Sequence, residues 1–144
     1  MNDRTLDLPA FLPYQLSVAA NRISDRLARI YSDRFDLTIP EWRVMAVLGR
    51  FPGLSAGEVA ERSAMDKVRV SRAVARLLDA GRLERRTAAD DRRRTELRLS
   101  EAGHAIYAEI VPLAQAFERD VMDDLTAGEL AAMRSALAKL SRQP

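Results

Sequence analysis

Cysteine is absent from these 144 residues, and histidine occurs once, at His104. The first absence removes disulfides, thiolate metal sites and thiol redox sensing. The second leaves too few ligands for a zinc or iron site, which normally draws on several. No metal and no cofactor are expected. Long apolar runs are missing as well: the longest, Val44-Met45-Ala46-Val47-Leu48, is far short of the roughly 20 residues a membrane helix needs. Met1-Asn2-Asp3-Arg4 mixes acid with base and leads into no apolar segment, so no signal peptide is expected and the cytoplasm is the expected compartment. The chain also lacks H-E-x-x-H, G-x-S-x-G and any phosphate-cradling glycine loop. Its carboxylates fall at helix caps and on polar faces, so no enzyme is expected.

What is present is 47% apolar and 31% charged residues, the mix of a soluble globular chain. The length suits one domain over 1–144. Net charge is only +2, but it is unevenly spread. From Arg62 to Arg98 there are twelve Lys/Arg against six Asp/Glu, whereas the remainder holds eleven basic and fifteen acidic residues. A basic middle between acidic ends points to a polyanion, most simply nucleic acid, or else to a well-solvated surface.

Periodicity divides the chain. Leu12, Leu16, Ala19, Ile23, Leu27 and Ile30 recur at steps of three and four, the signature of an amphipathic helix over 12–35. Thr38-Ile39-Pro40-Glu41, Ser55-Ala56-Gly57-Glu58 and Thr126-Ala127-Gly128-Glu129 each read as a capping box that opens a helix. Asp66 is an N-cap for a further helix with Val70, Ala73, Val74 and Leu77 inward, and Gly81 supplies its left-handed end. The period then drops to two in Leu83–Thr87 and Glu96–Leu99, which predicts short strands around a polar loop from Ala88 to Arg94. Helix resumes at Ser100 or Glu101, with a kink expected at Pro112. Leu130, Met133, Leu137 and Leu140 follow the spacing of a seam that wants a partner helix.

Helix, short helix, helix and a basic-tipped hairpin make a mainly α chain with a small two- or three-stranded antiparallel wing: a winged helix-turn-helix. The helix after Asp66 is the one expected in a major groove. Lys67, Arg69, Ser71, Arg72 and Arg76 lie off its apolar stripe, where Arg can fork onto guanine and Ser can bond base or phosphate. Ser55 and Val70 are grouped with them, as are Asp91, Arg92, Arg93 and Arg94 of the wing loop.

The stretches Leu37-Thr38-Ile39-Pro40-Glu41-Trp42-Arg43-Val44-Met45, Asp66-Lys67-Val68-Arg69-Val70-Ser71-Arg72 and Asp91–Gly103 resemble the second helix, recognition helix and wing of the MarR (multiple antibiotic resistance regulator) family. The resemblance runs from about residue 12 to about residue 141. It implies a transcriptional regulator, expected to act as a repressor, with a DNA-binding lobe over 37–100 and dimerisation helices over 8–36 and 101–144. It also implies that Asp91 holds Arg93 by an ion pair and that Arg93 enters a minor groove, where A·T-rich DNA concentrates negative potential. The partners implied are a double-stranded, pseudo-palindromic DNA operator, a second copy of the chain, and a small effector, often aromatic and anionic. Leu12, Leu16, Ile23, Leu130, Met133, Leu137 and Leu140 are the dimerisation candidates; Arg22, Trp42, Arg43, Met45 and His104 are the candidates for the effector pocket. A protein-interaction adaptor on the same fold, and a DNA-binding protein that ignores ligands, are the alternatives.

Overall fold

Three helices begin by one device. Thr38, Ser55 and Thr126 each accept the N–H of a glutamate three residues on, and each glutamate carboxylate reaches back to the capping residue's N–H. These caps open α2 (Ile39–Arg50), α3 (Ala56–Ser63) and α6 (Ala127–Leu140) among the elements of a computed structural model that describes residues 4–142. The last two residues of the expected 101–144 segment lie outside that range. In α4 (Lys67–Asp79), Asp66 accepts the Arg69 N–H at 2.9 Å. Gly81, at φ +72°, ends it: the Arg82 N–H reaches the Leu77 carbonyl at 2.8 Å and the Gly81 N–H that of Leu78 at 3.0 Å.

α1 (Leu12–Phe35) follows a short 3-10 turn at Leu8–Ala10. β1 (Leu83–Thr87) and β2 (Thr95–Leu99) pair antiparallel, with Leu83 opposite Leu99 and Thr87 opposite Thr95. Leu54 adds an isolated bridge to Leu97, so the sheet is two-stranded with a single bridging residue at its edge. α5 (Glu101–Met122) continues through Pro112 as one helix. The expected fold class is therefore the one observed: among the described residues, six α-helices and an antiparallel wing in winged helix-turn-helix order.

The chain divides into two compact units, one running to Ile110 and the other beginning at Val111. The division falls inside α5, next to the proline that removes a backbone donor. In the first unit, Tyr31, Val44, Met45, Leu48, Val59, Val70, Leu77 and Ile110 are fully buried and form its core with Trp42, Leu83, Leu97 and Leu99. α2, α3 and α4 pack on one another, and the hairpin is sewn to the turn before α3 by Gly53 N–H to Leu97 O (2.9 Å) and Leu97 N–H to Leu54 O (2.8 Å). In the second unit, Met122, Leu130, Met133 and Leu137 line a groove of about 160 Å³, with Glu118 and Arg134 at its polar edge. No residue of α6 is buried.

Candidate nucleic-acid interface

α4 sorts its side chains by the helical period. Val70, Ala73, Val74 and Leu77 face the core, and Lys67, Arg69, Ser71, Arg72 and Arg76 are exposed. Val70 is 1% exposed, so its grouping with the contact residues is corrected: any ligand of α4 meets its neighbours, while Val70 holds the helix to the core. Val68 is the residue that sequence reasoning missed. At 59% exposure it is an apolar side chain on the outer face, between Lys67 and Arg69. The available signal was its place off the 70/74/77 stripe. Arg76 is not wholly free, because its Nε lies 3.8 Å from Glu41, the nearly buried carboxylate that caps α2.

The wing departs from the expectation in two respects. Asp91 makes no ion pair with Arg93 among the described residues; its Oδ1 accepts the Arg93 backbone N–H at 2.9 Å, closing a local turn. Arg92 and Arg93 are exposed, but Arg94 turns inward to Glu58, Glu96 and the Gly53 carbonyl. Three consecutive arginines thus divide two outward and one inward. Glu58 was legible only as a cap; its second partner lies 36 residues on in the chain and requires the fold. Hydrogen bonds from the Ser55 backbone and hydroxyl, with Arg94 adding to them, hold the Glu58 carboxyl below its ordinary range. Ser55 is half-buried, and its hydroxyl is engaged in that same cap.

The effector-pocket candidates occupy different environments. Met45 is fully buried, so it presents no surface to a ligand in this conformation. Trp42 is core as well, held between Tyr31 at 5.6 Å and Tyr107 at 6.1 Å between ring centroids. Arg43 is half-buried and donates to Ser24 Oγ at 3.1 Å, which ties α2 to α1. Burial pushes the Tyr31 hydroxyl up to about 12, with Arg43 opposing the shift and Asp25 adding to it. Arg22 and His104 are exposed. Of the dimerisation candidates, Leu12, Leu16, Met133, Leu137 and Leu140 are exposed, while Ile23 and Leu130 are half-buried. Among the described residues no group of three or more His, Asp or Glu is placed to hold a metal ion, and no helix is long and apolar enough to cross a membrane.

The model of the MarR family matches residues 35–94, which run from the end of α1 to the wing loop. The transcriptional regulator HosA of Escherichia coli O157:H7 is 28% identical over 94 residues, 65% of this chain and 70% of the relative. The 35–94 part of the chain matches the MarR family. Among solved structures, the transcriptional repressor CouR bound to a 23-mer DNA duplex is 25% identical, with a TM-score of 0.80 over 94% of this chain and 96% of that one. BpsR of Bordetella bronchiseptica, described with regulation of its DNA binding by 6-hydroxynicotinic acid, shares the fold at 23% identity and a TM-score of 0.85, over 97% and 99%. The match covers α2, α3, α4 with its exposed cations, and β1, and ends at Arg94, the last residue of the wing loop.

Proposed function

We propose that this chain is a sequence-specific DNA-binding regulator of the MarR family, acting as a homodimeric repressor on a pseudo-palindromic operator. The observation that carries this reading is the sorting of α4. Lys67, Arg69, Ser71 and Arg72 stand exposed opposite a buried apolar stripe, and Arg92 and Arg93 stand exposed on the wing. A helix that offers guanidinium forks near its N-terminus suits guanine edges in a major groove. A cationic wing tip suits a narrow minor groove. The exposed leucines of α1 and α6 are apolar surface that a second copy would cover, and half-sites would then lie roughly 34–36 Å apart. CouR, solved on a DNA duplex, supports the DNA reading by its likeness.

A gel-shift titration with DNA from upstream of the chain's own coding region, checked against random duplex, tests this. Operator binding should fall about 10³–10⁵-fold between 50 and 200 mM salt if about 6–10 phosphates are neutralised. Arg69→Ala should lose about 1–3 kcal/mol on the operator and blur one base pair per half-site, whereas Arg93→Ala should weaken many sequences alike. No shift with any duplex, or a flat salt response, would remove the reading and favour an interaction adaptor.

The regulatory part of the proposal is a small aromatic or anionic effector that lowers DNA affinity. Such a ligand must prefer the DNA-incompetent state, since equal affinity shifts nothing. BpsR, whose DNA binding is regulated by a hydroxylated pyridine carboxylate, supports that chemistry. Trp42 is the sole tryptophan and packs between two tyrosines on α1 and α5, so its fluorescence reports movement of α2 against them. Aromatic carboxylates that release DNA should change that emission. Release without any change in emission would place the effector elsewhere.

A further inference from the structure

We propose that Arg94 and Glu58 form a positioning pair that seats the wing on the helix-turn-helix, so that Arg94 orients the DNA-facing arginines beside it rather than meeting DNA itself. The proposal rests on the DNA-binding reading above for its functional consequence. The pair itself is a matter of geometry in the first unit.

Three acceptors from three segments converge on this guanidinium. Its Nη2 makes an ion pair with Glu58 Oε1 on the first turn of α3. The same nitrogen donates to the Gly53 carbonyl, in the turn between α2 and α3, at 3.4 Å. Nε lies 3.8 Å from Glu96 Oε1 on β2. Two carboxylates and a carbonyl around one cation leave no surplus positive charge to attract a polyanion. The planar fork also suits several acceptors at fixed angles, which an ammonium would not match.

The receptor is pre-arranged. Glu58 Oε1 already accepts the Ser55 N–H at 3.2 Å and the Ser55 hydroxyl at 2.9 Å, so the helix cap holds the carboxylate where the arginine arrives. On the wing side, the Arg94 N–H reaches the Asp91 carbonyl at 3.0 Å and the Ala88 N–H reaches the Arg94 carbonyl at 2.9 Å. Arg94 is thus built into the loop by its backbone and into α3 by its side chain. The backbone bonds of Leu97 anchor the strand farther down. Arg94 carries that attachment up to the loop itself, and Arg92 and Arg93 follow immediately outward. A surface ion pair contributes little to global stability, so the effect belongs to loop orientation and not to folding.

Two readouts test this, one of which needs no DNA. In the free protein, amide exchange at Ala88, Arg93 and Arg94 should rise in Arg94→Ala and in Glu58→Gln, a change that keeps a capping residue at that position. Unchanged exchange in both would overturn the seating role whether or not the protein binds DNA. The second readout is binding to a duplex selected from random sequence by the wild-type protein, measured as log affinity against log salt. Arg94→Ala should weaken binding by roughly tenfold with the wild-type slope retained, and Glu58→Gln should add nothing further in the double variant. Arg93→Ala should weaken binding and lower the slope by about 1, as loss of a phosphate contact does. A slope reduction in Arg94→Ala equal to that of Arg93→Ala would overturn the proposal and make Arg94 a phosphate contact. Wild-type affinity in Arg94→Ala would also overturn its part in binding. Failure of the wild type to bind any duplex would count against the DNA reading alone, because the exchange experiment still decides the pair.

Discussion

Val68 stands on the outer face of α4 between Lys67 and Arg69, a large apolar side chain left 59% exposed. If α4 reads a major groove, the partner chemistry for such a group is the methyl of thymine. Replacing the contacted thymine by uracil should then weaken wild-type binding by about 0.8 kcal/mol, the worth of one buried methyl-sized group. Val68→Ala should weaken operator binding and lose most of its sensitivity to that replacement; equal sensitivity in both proteins would dissociate Val68 from base reading. Tyr31 gives a residue-scale prediction on pH. Its hydroxyl is raised from 10 to about 12 chiefly by burial. The folded state therefore holds a proton that the unfolded chain releases, and the associated stability is complete below pH 10 and lost as pH rises toward 12. Urea midpoints should fall across that interval in the wild type and fall less in Tyr31→Phe.

At the scale of elements, the junction between the wing and α5 depends on one close approach. A Cβ on Gly103 would collide with the Arg82 carbonyl oxygen, which is itself the acceptor of the Ser100 N–H at 3.0 Å. Ser100 also donates from its hydroxyl to the Gly81 carbonyl at 2.6 Å and accepts the Gly103 N–H at 3.0 Å. The end of α4, the foot of the hairpin and the start of α5 are thus joined through one serine and one glycine. Gly103→Ala should destabilise the fold by about 1–3 kcal/mol, because the obstructing atom is backbone and cannot rotate away. A thermal midpoint equal to that of the wild type would refute this. The resemblance to a known wing pattern placed a glycine here, but the carbonyl it must clear became visible only in three dimensions.

At the scale of the whole molecule, the exposed apolar side chains lie mostly outside the helix-turn-helix. Leu12 is 53% exposed, Leu137 42% and Leu140 60%. Under the homodimer proposal these are surfaces completed by a second copy. Sedimentation at micromolar concentration should give twice the mass of 16.1 kDa, and Leu137→Asp should shift the population to monomer. A wild-type monomer at that concentration would remove the proposal, and so would an aspartate variant that still assembles. If the proposed dimer engages two half-sites at once, the same variant should weaken DNA binding far more than any single loss from α4.

Most of the local architecture was written in short-range chemistry. The three capping boxes, the Asp66 cap, the Gly81 terminus and both strands follow from residues within a few positions of one another, where backbone donors and hydrophobic period decide the outcome without reference to the rest of the chain. Tertiary structure decided matters of distance and direction. It buried Met45 wholly in the core and enclosed Trp42 between tyrosines from two other helices. It also turned Arg94 away from its two neighbours, since the carboxylate that receives it belongs to a helix 36 residues earlier and no local rule brings the two together. Periodicity assigns a side chain to a face, but what that face meets depends on how the elements pack.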